Sequence, residues 1–397
     1  MNYIAETLHT PVTDECEVLV AGGGVAGIAA ALAAARQGKT VILLEKQFML
    51  GGLATAGLVT IYLPLCDGMG TQVSFGIAEE LLRLSIKYGY EAKYPAAWLE
   101  GGSKEEKTKR RYEVRYNAQL FAIAAEQLLR KEGVKILYGT SACSVAMEDK
   151  KISAVMIENK SGRSAIKGKS VVDATGDADI CVMAGDETAL FGPGNILAAW
   201  HYFAEGKGYD LSMLGVSEIP EEDRTEETAP LIARRFQGID GKELSEMVQC
   251  SHDQILADVM KKQQKNPNYM PVTIATIPQI RMTRRIVGKY TMDTADDRKE
   301  FADSIGMIGN WKKRGPVYEI PFRALYGGAV KNLITAGRNI SAGDAMWDVT
   351  RVIPACAVTG EAAGVAASMT DDFAALDVAL LQKKLVEQGV RLFYRDL

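Results

Sequence analysis

One stretch governs what this chain can become. Residues 18–46 read VLVAGGGVAGIAAALAAARQGKTVILLEK. An apolar run, a glycine turn, an alanine-rich helical segment and a second apolar run succeed one another, as in a strand–helix–strand unit. Gly22, Gly24 and Gly27 have the G-x-G-x-x-G spacing. Gly22 permits a tight turn out of the strand, Gly24 lets main chain approach a pyrophosphate, and Gly27 lets the helix lie close on the strand. Val25 and Ala26 open the helix, where free N–H groups and the helix dipole favour phosphate. Glu45, with Lys46 beside it, closes the second strand eighteen residues after Gly27. An acid there accepts both hydroxyls of an adenosine ribose. The unit is built to hold a dinucleotide.

The chain has 397 residues, more than one core usually covers, so two lobes are expected. A net charge of −4 argues against nucleic acid or an anionic membrane surface as a partner. The opening MNYIAETLHTPVTDEC lacks the basic and apolar regions of a signal peptide. The longest apolar run, 25–35, is too short to span a bilayer. Cysteines 16, 66, 143, 181, 250 and 356 form no C-x-x-C pair, and His9, His201 and His252 are the only histidines. The expectation is a cytoplasmic protein with no membrane contact, metal centre or dithiol site.

Beyond Glu45 the chain does not continue as the regular series of βα units of a nicotinamide dehydrogenase. KQFMLGGLATAGLV brings a second glycine turn, Gly51-Gly52, and then Thr55. Such a turn lets backbone N–H groups reach a long cofactor beyond its pyrophosphate. NAQLFAIAAEQLLRKEG predicts an amphipathic helix over about 117–132. The next fifty residues predict a core strand, a three-stranded β-meander and a return strand, VVDAT, ending in the close-approach turn Ala174-Thr175-Gly176-Asp177. Near the end, NLITAGRNISAGDAMWDVTRVIPACAVTGEAAGVAASM predicts a strand, the turn Gly337-Arg338, and from about Val352 a helix with a face of small residues.

These stretches carry a resemblance. With IRMTRRIVG, YEIPFRAL and the R-V-x-P-x-C-x-x-x-G-x-A-A-G run at 351–364, the chain resembles the FAD-dependent oxidoreductases related to the fumarate reductase and succinate dehydrogenase flavoproteins. The matching motifs span nearly the whole chain. The resemblance implies an α/β fold: a Rossmann-like FAD-binding lobe, of the three-layer ββα type with a β-meander, plus a smaller mixed α+β substrate cap. It implies FAD as cofactor, and non-covalent attachment is expected because a free cysteine is usually a small core residue. Gly22, Gly24, Gly27 and Glu45 would then hold the ADP half, and Gly51, Gly52 and Thr55 would line the ribityl chain or flavin ring. Gly176 and Asp177 would approach the pyrophosphate side, and Gly337, Arg338 and Asp344 would lie along pyrophosphate and ribityl. Relatives carry a histidine where this chain has Asp344. The helix from Val352, with Pro354 in its first turn, would meet the ring and supply about half a positive charge to the reduced flavin.

The expected FAD-binding domain is 1–187 and 326–397, with 88–112 as an inserted loop, and the cap is 188–325. Within the cap, 218–235 begins as an acidic loop, ELSEMVQCSHDQILADVMKKQQK is an amphipathic helix, and PVTIATIPQIRMTRRIVGKYTM alternates like strand. The basic run 104–111 is balanced by acids and reads as an exposed loop. No second G-x-G-x-x-G succeeds a strand, so a dedicated NAD(P)H domain of the disulfide-reductase kind is not expected.

Candidate catalytic residues are set by the demands of flavin chemistry on a protein, which are to place substrate and to supply a proton or an anion clamp. Arg281, Arg284 and Arg285 have the chemistry to grip a carboxylate, and strand alternation puts Arg281 and Arg285 on one face. The competing reading is arginines that are solvated or paired. His201, between Trp200 and Tyr202, is either a proton donor or a satisfied core histidine. Tyr318 and Arg323 sit where the cap returns to the flavin lobe; Arg323 is a substrate clamp or an interdomain ion pair. Arg351 precedes the flavin-facing helix. Cys66 and Cys356 are the thiols nearest the expected ring. The leading reading is an enzyme moving hydride between flavin and a small, anionic organic substrate under the cap. The alternatives are a flavin monooxygenase using NAD(P)H and oxygen, and an electron-transferring FAD subunit serving a redox protein.

Overall fold

Residues 18–21 are all buried, and an apolar run covered on both faces is what a central parallel strand requires. The structure is a computed structural model that describes residues 4–215 and 229–397. It opens with β1 (Val12–Ala21), α1 (Val25–Arg36) and β2 (Val41–Leu44). Then come β3 (Ile61–Tyr62), α2 (Ile77–Ile86), β4 (Tyr90–Ala92), α3 (Ala96–Leu99), α4 (Lys104–Lys109), β5 (Val114–Tyr116), α5 (Ala118–Lys131) and β6 (Lys135–Leu137). The meander β7 (Ser141–Glu148), β8 (Lys151–Asn159) and β9 (Gly162–Asp173) leads to α6 (Asp179–Ala184).

The middle of the chain contributes β10 (Thr188–Leu190), β11 (Ala199–Glu205), β12 (Gly208–Leu214), α7 (Gly241–Gln263), β13 (Met270–Ile274) and β14 (Arg284–Ile286). It closes with β15 (Ser304–Gly309), β16 (Val317–Pro321), β17 (Leu333–Thr335), α8 (Asp344–Thr350), α9 (Ile353–Met369) and α10 (Val378–Glu387).

The main sheet runs β6-β2-β1-β9-β8-β7, with β17 also on β9. Strands β6, β2, β1, β9 and β17 pair in parallel, and β9, β8 and β7 are antiparallel. Alternation sends Val18, Val20, Leu43 and Val172 into the cluster containing α1 and α9. Leu19, Ile42, Leu44 and Val171 go into a second cluster with Ile152, Val155 and Ile157 of β8. The result is three layers: helices, sheet and meander. Register matters most for function. Ala21 stands opposite Leu44 and Asp173, and Asp173 opposite Thr335, so four strands, β1, β2, β9 and β17, end level and the glycine turns that follow them meet at one carboxyl edge.

The structure departs from the sequence expectations in several places. The return strand VVDAT is not separate, because β9 is one twelve-residue strand. Its first residues pair with β8 and its last with β17, so one strand serves meander and core in turn. The basic run 104–111, expected as a loop, contains helix α4. Ser103 accepts the Glu106 N–H and the Glu106 carboxylate accepts the Ser103 N–H, a capping box that sustains a short exposed helix. The strand-like stretch 271–292 holds only β13 and β14. The chain leaves the ladder at Ile274, Pro278 has no N–H with which to resume it, and Arg281 lies in the irregular segment between. Arg281 and Arg285 therefore do not share a strand face. The acidic loop at 218–235 falls largely on residues outside those described.

The segment 88–112, expected as an inserted loop, carries β4, α3 and α4, with β4 joining β5 and β3 in a small sheet. The hairpin of β15 and β16, expected in the cap, packs Ile305, Ile308, Tyr318 and Ile320 into the same cluster as α9. What stands apart is the sheet β12-β11-β13 with α7 against it. Among the described residues no single helix is long and apolar enough to cross a membrane; α9 is buried over 353–367 as the core helix.

Candidate functional site

The carboxyl edge is assembled by close approach of main chain. A Cβ on Gly27 would stand 1.8 Å from the Gly22 carbonyl oxygen, so only glycine lets α1 start there. Gly24, by contrast, faces open space, and α1 begins on it with no side-chain cap. Its first N–H groups are left for an external acceptor. The second glycine turn stacks on the first: the Gly51 N–H donates to the Gly23 carbonyl at 2.8 Å. Glu45 is buried between them, accepting the Gly23 N–H at 2.8 Å and the Gln47 N–H at 2.7 Å. Burial pushes its carboxyl above the ordinary range, and these N–H groups pull it back. Each carboxylate oxygen keeps a further lone pair for a ribose hydroxyl. Open cradle, uncapped helix and inward acid fit the ADP half of FAD.

Toward the other end, the Gly337 turn lies against Ala26 and Cys356, joining α1, β17 and α9 at one point. Helix α9 also starts without a side-chain cap, with Pro354 in its first turn. The Thr55 hydroxyl is spent on the Leu50 carbonyl, so Thr55 shapes the Gly51-Gly52 turn. Ala174 is buried beside Gly22, and Lys46 is exposed next to Glu45. Arg338 and Asp177 are brought together at 2.9 Å. Arg338 also donates to the Gly176 and Ile280 carbonyls, and Asp177 accepts the Thr283 hydroxyl. The two therefore bind the flavin lobe to segment 280–283. Asp344 is exposed at the start of α8.

Arg281 is 8% exposed, its guanidinium 5.7 Å from the centroid of the Trp200 ring. That ring lies on the face of β11 that packs on Leu58. The seam is tied by main-chain contacts: the Gln279 side chain accepts the Trp200 N–H and donates to the Gly57 carbonyl, and the Thr276 N–H donates to Ala56. Arg281 thus stands in the seam between the β12-β11-β13 sheet and the loop after Gly51-Gly52.

The other candidates lie elsewhere. His201 is fully buried on the opposite face of β11, its Nε2 3.1 Å from the Tyr269 hydroxyl and 3.7 Å from Asp258. Burial lowers its pKa, so the ring is neutral near pH 7. Tyr318 lies in the core of the flavin lobe, and burial raises its pKa. Arg323 makes a two-pronged ion pair with Asp303 and is half-exposed. Arg351 pairs with Asp348, which Lys312 also meets. The Cys356 thiol donates to the Arg351 carbonyl at 3.2 Å, and burial pushes its pKa to about 12; burial also raises Cys66.

One cluster escaped sequence reasoning. The Tyr202 hydroxyl donates to Glu91 at 2.6 Å and shares a 2.8 Å hydrogen bond with Thr60. Arg115 bridges Glu91 to Asp210. Tyr202 and Glu91 are 111 positions apart, and no motif announces the pair.

The sequence model of a family described as FAD dependent oxidoreductase matches residues 17–196 and 191–385. Over 76 residues, 19% of this chain, 37% are identical to a thioredoxin reductase of Ureaplasma parvum. That match spans 25% of the relative's length. A geranylgeranyl bacteriochlorophyll reductase-like structure from Thermoplasma acidophilum is 14% identical, with a TM-score of 0.46 over 95% of this chain and 84% of that one. A p-nitrophenol 4-monooxygenase from Pseudomonas putida is 12% identical, with a TM-score of 0.42 over 96% and 82%.

Proposed function

This chain belongs to the FAD dependent oxidoreductase family, with FAD as its cofactor, and from that premise we propose that it moves hydride between flavin and a small anionic organic molecule held in the seam below the cap. The observation that carries this reading is Arg281, a nearly buried cation over Trp200 beside the loop after Gly51-Gly52. A guanidinium there grips a carboxylate by two parallel hydrogen bonds, and the indole fixes its orientation. Burial of the Arg281 guanidinium strengthens the grip. FAD, when bound, supplies the hydride acceptor or donor. In this proposal the cap comprises 191–283, and the hairpin of β15 and β16 belongs to the flavin lobe. Gly22, Gly24, Gly27 and Glu45 hold the ADP half without a covalent link, and the uncapped start of α9 holds negative charge at the far end. The run at 351–364 supports a place beside the fumarate reductase and succinate dehydrogenase flavoproteins. The electron partner is the substrate itself, a visiting NAD(P)H or a redox protein.

The test is anaerobic mixing of the purified yellow protein with a panel of small carboxylic acids while the flavin band is watched. Bleaching by one of them, lost in Arg281→Ala with FAD content unchanged, supports the reading. Bleaching only by NAD(P)H, with oxygen uptake coupled to an added substrate, replaces it with a monooxygenase. Turnover that appears only with a protein partner replaces it with an electron-transfer subunit.

A further inference from the structure

Four arginines near the lobe junction spend their charge on carboxylates: Arg284 on Asp179, Arg323 on Asp303, Arg338 on Asp177 and Arg351 on Asp348. Arg285, half-buried on β14, does not. Its Nη1 donates to the adjacent Ile286 carbonyl at 3.1 Å and reaches the Ser341 hydroxyl at 3.4 Å. Its Nε–H is buried with no acceptor. The guanidinium stands 5.8 Å from the centroid of the Trp347 ring, and Ser341 shares a 2.9 Å hydrogen bond with the Thr291 hydroxyl. Burial lowers the Arg285 pKa, as expected of a cation drawn from water, and the exposed Asp344 opposes that only through space. Taking a charge out of water without a partner is costly, whereas a bidentate oxyanion repays it.

We propose that Arg285, with the hydroxyls of Ser341 and Thr291, binds an oxyanion, a carboxylate or a phosphate, beside the Trp347 ring. The site is separate from Arg281, which stands over a different indole, and it holds whether or not substrate sits at Trp200. Two sources share this chemistry: a free small anion, such as an acidic group of substrate, and the diphosphate of FAD.

The experiment compares the purified holoenzyme with Arg285→Gln, Arg285→Lys and Ser341→Ala. Succinate and inorganic phosphate are titrated in separately, read by tryptophan fluorescence and by the flavin absorbance. FAD release on dilution is read by the rise of free flavin fluorescence. A Kd for either anion weakened about tenfold or more in Arg285→Gln, less in Arg285→Lys, with FAD release unchanged, establishes a free-anion site. Faster FAD release of similar size, with anion titrations unchanged, assigns the site to the diphosphate. Ser341→Ala leaves the charge and the strand intact, so it tests the same site if Arg285→Gln does not fold; it should weaken the same readout by a smaller factor. Unchanged anion titrations and FAD release in the arginine variants that fold and in Ser341→Ala overturn the proposal.

Discussion

Gly360 of α9 rests directly on the backbone of α1: a Cβ built on it would lie 2.3 Å from the carbonyl oxygen of Ala26. One turn further on, Gly364 meets the Ala30 carbonyl in the same way. Because Ala26 sits in the first turn of the nucleotide helix, this contact sets how the starts of α1 and α9 stand to one another. Gly360→Ala must push the helices apart. We expect a loss of about 1–3 kcal/mol, the usual cost of overpacking, together with weaker FAD retention. Thermal melts of the holoenzyme and its FAD-to-protein ratio check this; an unchanged melt refutes it.

Glu45 joins fold and cofactor. Its carboxylate satisfies two main-chain N–H groups and faces the cradle. Glu45→Ala orphans both donors, at about 1–3 kcal/mol of stability. In the proposed site it also removes the ribose acceptor. Titrating apoprotein with FAD should give a Kd weakened by ten- to a hundredfold, on the order of 1.4–2.8 kcal/mol. Equal affinity would move the ribose elsewhere.

Glu361 predicts a pH dependence. It is buried in α9, one oxygen accepting the Ile77 N–H at the start of α2 and the other without a partner. Burial first, and Glu80 second among the raising influences, push its pKa from the ordinary 4.5 to about 8, against the Ile77 N–H and Arg36. The folded state therefore binds this proton more tightly than the unfolded chain. The stabilisation is complete below about pH 4.5 and is lost as pH rises through about 8. The melting temperature of the natural protein should fall from pH 5 to pH 8 more steeply than that of Glu361→Gln, which cannot titrate. Parallel curves would exclude Glu361 as the cause.

Tyr202 links β11 to β4 through Glu91 and to Thr60. Tyr202→Phe leaves a buried carboxyl and a buried hydroxyl each short of a partner, a loss of about 1–3 kcal/mol. Urea unfolding should show the loss, and amide exchange in β11 should speed up. His201→Gln, on the opposite face, should leave exchange at Thr60 and Glu91 unaltered.

The thiols give a covalent-attachment test. With Cys356 at about 12 and Cys66 also raised, neither is a nucleophilic thiolate near neutral pH. Acid precipitation should leave a yellow supernatant and a colourless pellet.

The unit from β1 to β2 is legible in the sequence because its signals, two apolar runs, three glycines and an acid, lie within 29 residues and act on their own backbone. Helices α5, α7 and α9 are legible for the same reason. The placing of Arg281 is not, because the chain leaves strand geometry between Ile274 and Arg284, where alternation cannot be counted. Strand alternation separates His201 from Tyr202 but does not say which of them meets the flavin lobe. The length of β9 is hidden because both its partners come from other parts of the chain.

The amino-acid sequence by itself determined the dinucleotide unit and the small-residue face of the last long helix. Those rest on backbone hydrogen bonding and periodicity, which neighbours along the chain decide. Tertiary structure alone decided what each charged group is for. A guanidinium is the same in Arg281, Arg285, Arg323 and Arg338. Only packing determines which lies against a carboxylate, which over an indole, and which is drawn from water without a counter-ion. Those differences come from desolvation and from contacts between residues far apart in the chain, and no local pattern encodes them.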